Sequence, residues 1–299
     1  MIFREIKLIS DSGYEVVISE NANDYVLDQD GLDLGIVGST QNTTQYIDLI
    51  GTHLDSVVLS PRDISIIGWI IGPDEATINK RKVLLNRLIN PMYNVKLEIG
   101  EYALNFNPDT SIQYSREYDY NNEWMVQFQI QGTANMPLFT LKDPNTYGQT
   151  VELEGGAHFP LTIPKNVGVL LGYYPMNSIA NMPNIGDVES GFVLYLNAEG
   201  GSVVNPRITN LTTGEKLQFN YTLTEGDRIE VSTELGNQYA TIISHGETYN
   251  ALKYLTDDSA IDMTLALWLN NFELSADSGN DYLKAKMQFS PRFLEVEGR

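Results

Sequence analysis

Cysteine is absent from this sequence of 299 residues. Without a thiol the chain can form no disulfide, bind no zinc through thiolates and use no cysteine nucleophile. The absence suits a protein that assembles in a reducing cytoplasm. Such cross-links are not required for stability, because a chain of this length buries roughly three quarters of the surface that its unfolded form exposes.

Long apolar runs are also absent. No stretch approaches the roughly 20 consecutive apolar residues that a membrane-spanning helix needs. In residues 1–9 apolar positions alternate with charged ones, and no continuous apolar segment or small-residue cleavage site follows, as a signal peptide would require. We therefore expect a soluble protein that is made without export and does not insert into a membrane.

Basic residues are scarce. The chain has 19 lysines and arginines against 39 aspartates and glutamates, which gives a formal net charge of −20. A field of this sign repels the phosphate backbone, so the composition disfavours specific binding of nucleic acid. Beyond that, the net charge chiefly favours solubility.

The sequence also lacks the motifs of common enzyme classes. It contains no Gly-x-Ser-x-Gly elbow, no phosphate-binding glycine loop and no dinucleotide fingerprint. The three histidines, His53, His158 and His245, show no zinc-type His-x-x-x-His spacing. We expect surface or turn positions for all three, and His245 directly precedes Gly246 in an apparent hairpin turn.

Acidic residues are plentiful, and three groups of them invite a functional interpretation. Asp28–Asp33 resembles a calcium loop, but it lacks the third oxygen ligand before its glycine and the closing glutamate, so an acidic turn is the better interpretation. Glu152 with Glu154, or Asp257 with Asp258, could serve glycoside hydrolysis, yet an acidic chain contains such pairs by chance. The sequence predicts no catalytic, cofactor-binding or metal-binding residue and no cofactor.

The first part of the chain, residues 1–140, is predicted to be β-rich with one helix. Its strands show alternating apolar and polar residues or are rich in β-branched residues. The predicted strands are Tyr14–Ile18, Ser56–Leu59, Arg62–Ile71, Tyr93–Ile99 and Trp124–Ile130.

Between two of these strands, Glu75–Ile89 changes to helical spacing. Asp74 is positioned to cap the first turn, and Asn90-Pro91 ends the helix because proline disfavours the helical conformation of the residue before it. Apolar residues three, four and seven positions apart form one stripe, as on a helix packed against a core. The stripe consists of Ile78, Leu84, Leu85, Leu88 and Ile89.

Turn-forming residues cluster near residue 140, which indicates a domain boundary there. The second part, residues 141–299, is almost entirely β, with short strands separated by polar turns, and this pattern predicts a β-sandwich. The whole chain is therefore predicted to be mostly β (α+β). The clearest strands of the second part are Phe192–Leu196, Lys216–Tyr221, Arg228–Ser232 and Tyr239–Ile243.

Two neighbouring segments carry a resemblance to a known family. Val204–Leu217 contains Asn-Pro-Arg-Ile-Thr-Asn followed by Thr-Gly-Glu, and Leu223–Gly236 contains Gly-Asp-Arg-Ile-Glu-Val-Ser-Thr-Glu-Leu-Gly. This series resembles the distal tail protein family (Dit) of siphophages and their prophages.

Further segments agree with the resemblance in the expected order along nearly the whole chain. Arg62–Gly68, the helix that ends at Asn90-Pro91 and the strand Val95–Ile99 look like the N-terminal ring domain of the family. Phe159–Pro164 looks like its inter-domain junction, and Gln288–Leu294 looks like its terminal strand. No single segment is specific, and their joint order carries the resemblance.

The resemblance implies a non-enzymatic structural protein of the virion. The N-terminal domain would form a homohexameric ring at the tip of the tail tube, and a C-terminal galectin-like β-sandwich would face outward. The ring would join the tail tube to the baseplate and tail-fibre proteins, with a lumen through which DNA passes. The implied partners are further copies of the chain, the tail-tube protein, the tape-measure protein and tail-associated fibre, lysin or receptor-binding proteins. The implied location is the virion tail tip, after synthesis in the cytoplasm of the host bacterium.

One segment departs from the family pattern and bears on an alternative function. Where the family often has a Leu-x-Pro-Gly-x-Asn turn, this chain has Leu265–Asn271. The aromatic residues, which include 17 tyrosines and three tryptophans, suit sugar stacking as well as sheet packing and interfaces. A carbohydrate-binding module for host cell-wall glycans therefore stays open as the alternative, with Trp268, Tyr173 and Tyr174 available for stacking.

Overall fold

The computed structural model describes residues 5–46, 50–115, 118–120, 123–142, 149–154 and 179–296. Regular structure in these residues is mostly antiparallel β with one α-helix, which confirms the predicted fold class. None of the helical segments described is both long and apolar enough to cross a membrane. The chain divides into two compact units: Met1–Lys142 with Phe293–Arg299 form unit 1, and Asp143–Arg292 form unit 2.

Unit 1 is built around a ten-stranded antiparallel sheet. Its elements are β1 (Glu5–Ser10), β2 (Glu15–Ser19), β3 (Tyr25–Asp33), β4 (Ser39–Thr44), β5 (His53–Leu59), β6 (Arg62–Gly72), α1 (Glu75–Leu88), β7 (Val95–Ile99), β8 (Tyr102–Pro108), β9 (Gln113–Tyr114), β10 (Tyr118–Tyr120), β11 (Glu123–Ala134) and β12 (Thr140–Leu141). The main path of the sheet runs β2-β1-β7-β8-β11-β6-β3, and three short strands are attached to β8 and β11. Strands β4 and β5 form a separate hairpin.

The longest ladder of unit 1 joins β6 to β11, from Arg62 opposite Ala134 to Gly72 opposite Trp124. Both strands alternate buried apolar residues with more exposed ones, as their sequences predict. Close packing depends on Gly132, since a β-carbon there would lie 2.4 Å from Cδ2 of Phe106. The glycine thus makes room for an aromatic ring of the core.

Helix α1 confirms the predicted helix and its cap. The carboxylate of Asp74 accepts a hydrogen bond from the backbone N–H of Thr77 at 2.7 Å, and this bond holds the pKa of Asp74 below its usual value. Ile78, Leu85 and Leu88 are buried against the sheet, as the apolar stripe predicts.

The acidic segment Asp28–Asp33 is a correction to the sequence interpretation. It is not a turn but the second half of β3, which pairs with β6 through a bulge between Leu27 and Leu32. Four residues of β3 lie opposite the single residue Ile67 of β6 in this bulge. The bulge interrupts the alternation that identifies strands from sequence, which is why the segment looked like a turn.

Residues 293–296 pack into unit 1. The backbones of Phe293 and Phe139 form an antiparallel bridge, and Phe293 and Val296 belong to the buried core of the unit. The predicted terminal strand Gln288–Leu294 was therefore wrong in extent: the last strand ends at Phe289. Pro291 has no N–H to donate to a ladder, which accounts for the interruption.

Unit 2 contains a six-stranded sheet, a four-stranded sheet and a short pair of strands. The strands are β13 (Gln149–Glu154), β14 (Ile179–Asn184), β15 (Val193–Ala198), β16 (Val203–Val204), β17 (Arg207–Asn210), β18 (Lys216–Gln218), β19 (Thr222–Leu223), β20 (Arg228–Ser232), β21 (Tyr239–Ser244), β22 (Glu247–Asn250), β23 (Trp268–Ser275) and β24 (Leu283–Phe289), with 3-10 turns at Leu252–Tyr254 and Asn280–Tyr282. The six-stranded sheet has the order β13-β24-β15-β20-β21-β22, the four-stranded sheet has the order β14-β23-β17-β18, and β16 pairs with β19.

The two larger sheets of unit 2 enclose one apolar core, so the unit is a β-sandwich, as predicted. Leu194 and Val231 enter this core from the six-stranded sheet, and Phe272 and Leu274 enter it from the four-stranded sheet. The ring of Phe272 meets that of Phe192 edge-on at a centroid distance of 5.8 Å. Alternate residues of each strand are thus buried, which is the pattern that identified the strands.

Candidate functional site

The described histidines occupy surface and turn positions, as predicted. His53 is exposed at the start of β5, and His245 is a turn residue between β21 and β22 with φ of 51°. The Oγ atom of Ser244 lies 2.9 Å from Nδ1 of His245, and the Ser244 hydroxyl also hydrogen-bonds to Asp227. A nucleophilic triad needs the imidazole between serine and carboxylate, whereas here the serine lies in the middle. His158 lies outside the described residues.

Of the two carboxylate pairs considered for glycoside hydrolysis, the described one, Asp257 with Asp258, lacks the properties of such a site. Asp258 is ion-paired with Lys216 at 2.5 Å, and this bond lowers its pKa, whereas a catalytic acid needs a raised one. Asp257 is its exposed neighbour in the same turn. Glu152 and Glu154 lie on β13 opposite two lysines of β24, and their side chains are outside the described ones.

The cavities of unit 1 are lined by acidic and other polar residues together with apolar ones. One of about 630 Å³ lies beside β1, β2 and β3 and is lined in part by Glu5, Glu15 and Tyr25. Burial raises the pKa of Tyr25 to about 12, and its hydroxyl donates to the carbonyl of Arg81, so it stays protonated. Among the described residues, no three histidine, aspartate or glutamate side chains are grouped to hold a metal ion.

Trp268 stands out in unit 2, at the position of the departure from the family turn. Three non-glycine residues of the described chain have positive φ, namely Asn205, His245 and Trp268, and Trp268 has the largest value, 72°. Asparagine and histidine tolerate this left-handed conformation better than bulky residues, for which it costs about 1–2 kcal/mol. Despite this cost, Trp268 is 79% exposed. The fold therefore holds a strained backbone around a solvent-facing aromatic side chain.

A buried amide holds the turn that carries Trp268. Asn270 is fully buried, and its Nδ2 donates to the carbonyls of Ala266 at 2.9 Å, Met182 at 3.3 Å and Trp268 at 3.4 Å. Its Oδ1 accepts from the backbone N–H of Ala266 at 3.0 Å and from Nδ2 of Asn210 at 3.3 Å. One side chain thus ties both sides of the turn to two neighbouring strands, which makes the turn rigid.

Other exposed apolar residues surround Trp268. Asn184, the last residue of β14, pairs with Trp268, and Leu211, just after β17, donates its backbone N–H to the carbonyl of Asn271 at 2.7 Å. Three strand ends therefore meet at one end of the four-stranded sheet. We call the exposed apolar residues at this end the Trp268 patch: Ile185, Leu211, Leu267, Trp268 and Leu269. Trp268 is predicted from the sequence as a stacking residue, whereas the four aliphatic residues are not, because isolated apolar residues in turns give no periodic signal.

In unit 1 the hairpin of β4 and β5 is a second exposed feature. All residues of both strands except Leu59 are exposed, and none belongs to the buried core of the described residues. The exposed apolar side chains include Leu54, Val57 and Val58. An isolated two-stranded hairpin is marginally stable in water, so this hairpin has the character of an interaction element. Tyr173 and Tyr174, the other proposed stacking residues, lie outside the described residues.

The fold of the chain, taken over both units, is similar to that of solved phage proteins. One is the Dit protein of phage SPP1, described as a paradigm of the hub adsorption apparatus of phages that infect Gram-positive bacteria. The TM-score is 0.65, and the sequences are 10% identical over 96% of this chain and 99% of that chain. The chain is also similar to a chain of the phage P2 baseplate in its activated conformation with Ca, with a TM-score of 0.52 and 11% identity over 98% of this chain and 99% of that chain.

These two similarities confirm, at the level of fold, the resemblance to the Dit family that the sequence indicates. No family model matches the sequence. No characterised protein matches it by sequence either. At about a tenth identity, structure carries the relationship, and function has to be argued from the chain itself.

Proposed function

We propose that this chain is a structural phage tail protein, the distal tail hub that joins the tail tube to the baseplate and tail-fibre proteins. One observation carries the proposal: both units match a known hub protein, SPP1 Dit, over nearly the full length of both chains. Unit 1 would assemble as a homohexameric ring around a DNA-conducting lumen. The sandwich would face outward. The ring-forming part corresponds to the predicted domain 1–140 with residues 293–299 added, and the sandwich corresponds to the predicted domain 141–299 without them.

Two further features of the chain support a structural role. Among the described residues, His53, His245, Asp257 and Asp258 are turn or surface groups and do not form a recognisable catalytic set. The net charge of −20 suits a conduit that must not retain DNA, because a negatively charged protein repels the DNA phosphates. A lumen wall that proved neutral or basic in an assembled ring would contradict this second point.

The proposed location is the baseplate at the virion tail tip. The proposed partners are the tail-tube protein and the tape-measure protein on one side of the ring, and fibre, lysin or receptor-binding proteins on the other. A hub binds these partners through surfaces rather than pockets, which agrees with the exposed hairpin of β4 and β5.

The test is the mass of the purified protein by light scattering over a concentration series, with negative-stain imaging of the same sample. We expect rings of hexamer mass with a central hole, formed by the chain alone or after addition of purified tail-tube protein. A monomer that stays a monomer with the tail-tube protein would contradict the proposal.

The carbohydrate-binding alternative receives support from the exposure of Trp268 but not from its surroundings. A sugar site combines an aromatic platform with hydrogen-bonding side chains, whereas the immediate neighbours of Trp268 are Leu267 and Leu269. Calorimetry with host wall polysaccharide tests this alternative. Binding that is lost in Trp268→Ala would establish it, and no heat at millimolar sugar would remove it.

A further inference from the structure

The strain at Trp268 indicates that its side chain has a function. A glycine at this position would adopt φ of 72° without cost, yet the chain carries its largest side chain there and exposes it. Backbone outliers persist where the surrounding structure enforces them, and Asn270 enforces this one through its buried hydrogen bonds. The core gains nothing from an indole that faces solvent, so the benefit has to come from something that binds it.

The turn is also preorganised for binding. Immobilising a flexible side chain or loop lowers affinity, and a turn that is already fixed avoids that cost. Trp268 has only two side-chain torsions and a large apolar area, which is why tryptophan is enriched among the residues that dominate interface energies. The aliphatic residues of the Trp268 patch extend the apolar area around this anchor.

The charges around the patch define the partner further. Segments 185–192, 211–215 and 262–267 form the loops at this end of the sheet and contain no lysine or arginine. Two basic residues adjoin these loops: the carbonyl of Arg292 accepts from the backbone N–H of Asp187, and Lys216, which follows Glu215, is ion-paired with Asp258. The acidic residues of the three loops are Asp187, Glu189, Glu215 and Asp262. Electrostatic complementarity therefore favours a partner with a basic rim.

We propose that the Trp268 patch is the docking surface for a tail-fibre protein whose contact face is an apolar socket with a basic rim. This inference rests on the proposed function, because a tail hub supplies a partner of that kind. Trp268 fills the socket, and the aliphatic residues close around it. The acidic loops orient the fibre protein as it approaches and give its binding a dependence on salt.

The experiment measures the affinity of the immobilised full chain for the purified tail-fibre protein of the same phage or prophage, by interferometry at low and at high salt. The decisive variant is Trp268→Gly, which removes the indole and relieves the backbone. We expect its Kd to rise about 30-fold or more, as for a hot-spot residue, while its melting temperature does not fall. Leu269→Ser should weaken binding about fivefold, and wild-type binding should weaken at high salt.

The matched control is Tyr249→Ala, which removes an exposed aromatic side chain from β22, the edge strand of the other sheet. We expect its Kd to stay within about twofold of the wild type. Unchanged fibre binding by Trp268→Gly would overturn the inference, and so would a patch that binds only a glycan or a second copy of the chain. Ring formation is measured on the same samples. Rings with unchanged fibre binding in Trp268→Gly would refute the docking surface alone, whereas failure to form rings would count against the proposed function.

Discussion

Arg62 shows at the residue scale how one side chain organises unit 1. Its guanidinium is fully buried and donates to the carbonyls of Pro137, at 3.1 Å, and of Leu294, while it lies 4.8 Å from the centre of the Phe139 ring. Among the described residues, its ionic partner is the carboxylate of Glu295, at 3.4 Å. An arginine buried in this way is held by several acceptors at once, because an unsatisfied guanidinium is costly to bury.

Arg62→Met is expected to destabilise unit 1 by about 3–5 kcal/mol, because it leaves buried carbonyls without donors. Urea unfolding followed by tryptophan fluorescence measures the change, since Trp69 and Trp124 report on unit 1. Arg87→Ala, at an exposed position of α1, is the control and should stay within about 0.5 kcal/mol of the wild type. Equal effects of the two substitutions would contradict the structural role of Arg62.

Asp227 makes part of the stability of unit 2 dependent on pH. Burial by itself raises its pKa, but hydrogen bonds from Ser244 and from the hydroxyl and backbone N–H of Thr224 outweigh burial and hold the pKa below its usual value. A carboxyl whose pKa is lower in the folded state stabilises the fold above its unfolded pKa, near 4. That contribution is lost as the pH falls through the folded value.

Asp227→Asn is therefore expected to lower the free energy of unfolding at pH 7 and to flatten its decline below about pH 4. Urea denaturation at a series of pH values from about 7 to 2 measures both effects. Asp262→Asn, at an exposed position, should leave the pH dependence as it is in the wild type. Parallel pH profiles for wild type and Asp227→Asn would show that the carboxylate contributes no differential stability.

At the residue scale, neither the burial of Arg62 nor the backbone conformation of Trp268 is predictable from the sequence. Arginine usually lies at the surface, so nothing in the sequence around Arg62 marks it as buried. The departure at Leu265–Asn271 drew notice to Trp268, but a positive φ is predictable only where glycine or asparagine occupies the position. Both properties depend on residues distant in sequence, such as Leu294 for Arg62 and Met182 for the turn that carries Trp268.

At the scale of elements, hydrophobic periodicity predicts the helices and strands that pack against the core and misses those that do not. Helix α1 and the ladder of β6 and β11 were predicted because each buries a regular apolar pattern. Strand β4 was missed, since its sequence Ser-Thr-Gln-Asn-Thr-Thr has no apolar alternation. Its pairing with β5 follows from β-branched residues and backbone hydrogen bonds rather than from burial.

The exposed hairpin of β4 and β5 is expected to contribute to assembly more than to the stability of the single chain. Val58→Lys places a charge on a surface that has no contact with the core, so the melting temperature should change by no more than about 2 °C. Ring formation should fall sharply, because an unpaired lysine is costly to bury in an interface. Light scattering over a concentration series measures it.

Val83→Lys is the control for this prediction, because Val83 is a similarly exposed valine on α1 of the same unit. We expect rings from this variant at wild-type concentrations. Rings of normal mass from Val58→Lys would show that the hairpin lies outside the interface, and a large fall in its melting temperature would show that the hairpin supports the fold itself.

At the scale of the whole molecule, unit 1 is discontinuous in sequence. Its core includes Phe293 and Val296, which follow the whole of unit 2 along the chain. The guanidinium of Arg62 donates a hydrogen bond to the carbonyl of Leu294 in the same segment. During synthesis, unit 1 therefore cannot complete its core until unit 2 has been made. Contacts so distant in sequence carry a large loop-closure cost in folding.

Deletion of residues 293–299 is expected to destabilise unit 1 selectively. Phe293 and Val296 together contribute about 3–6 kcal/mol through burial, and the deletion also removes the acceptor that Leu294 gives to Arg62. Unit 2 keeps its core and both sheets up to Phe289, so it should stay folded. Limited proteolysis should cut the truncated chain first within residues 5–142, and mass spectrometry of the fragments locates the cuts. The full-length variant Phe293→Leu keeps an apolar side chain at this position, so it should retain most of the wild type's resistance to the protease. If the truncated chain resisted the protease as well as the wild type, residues 293–296 would be a surface attachment rather than part of the core.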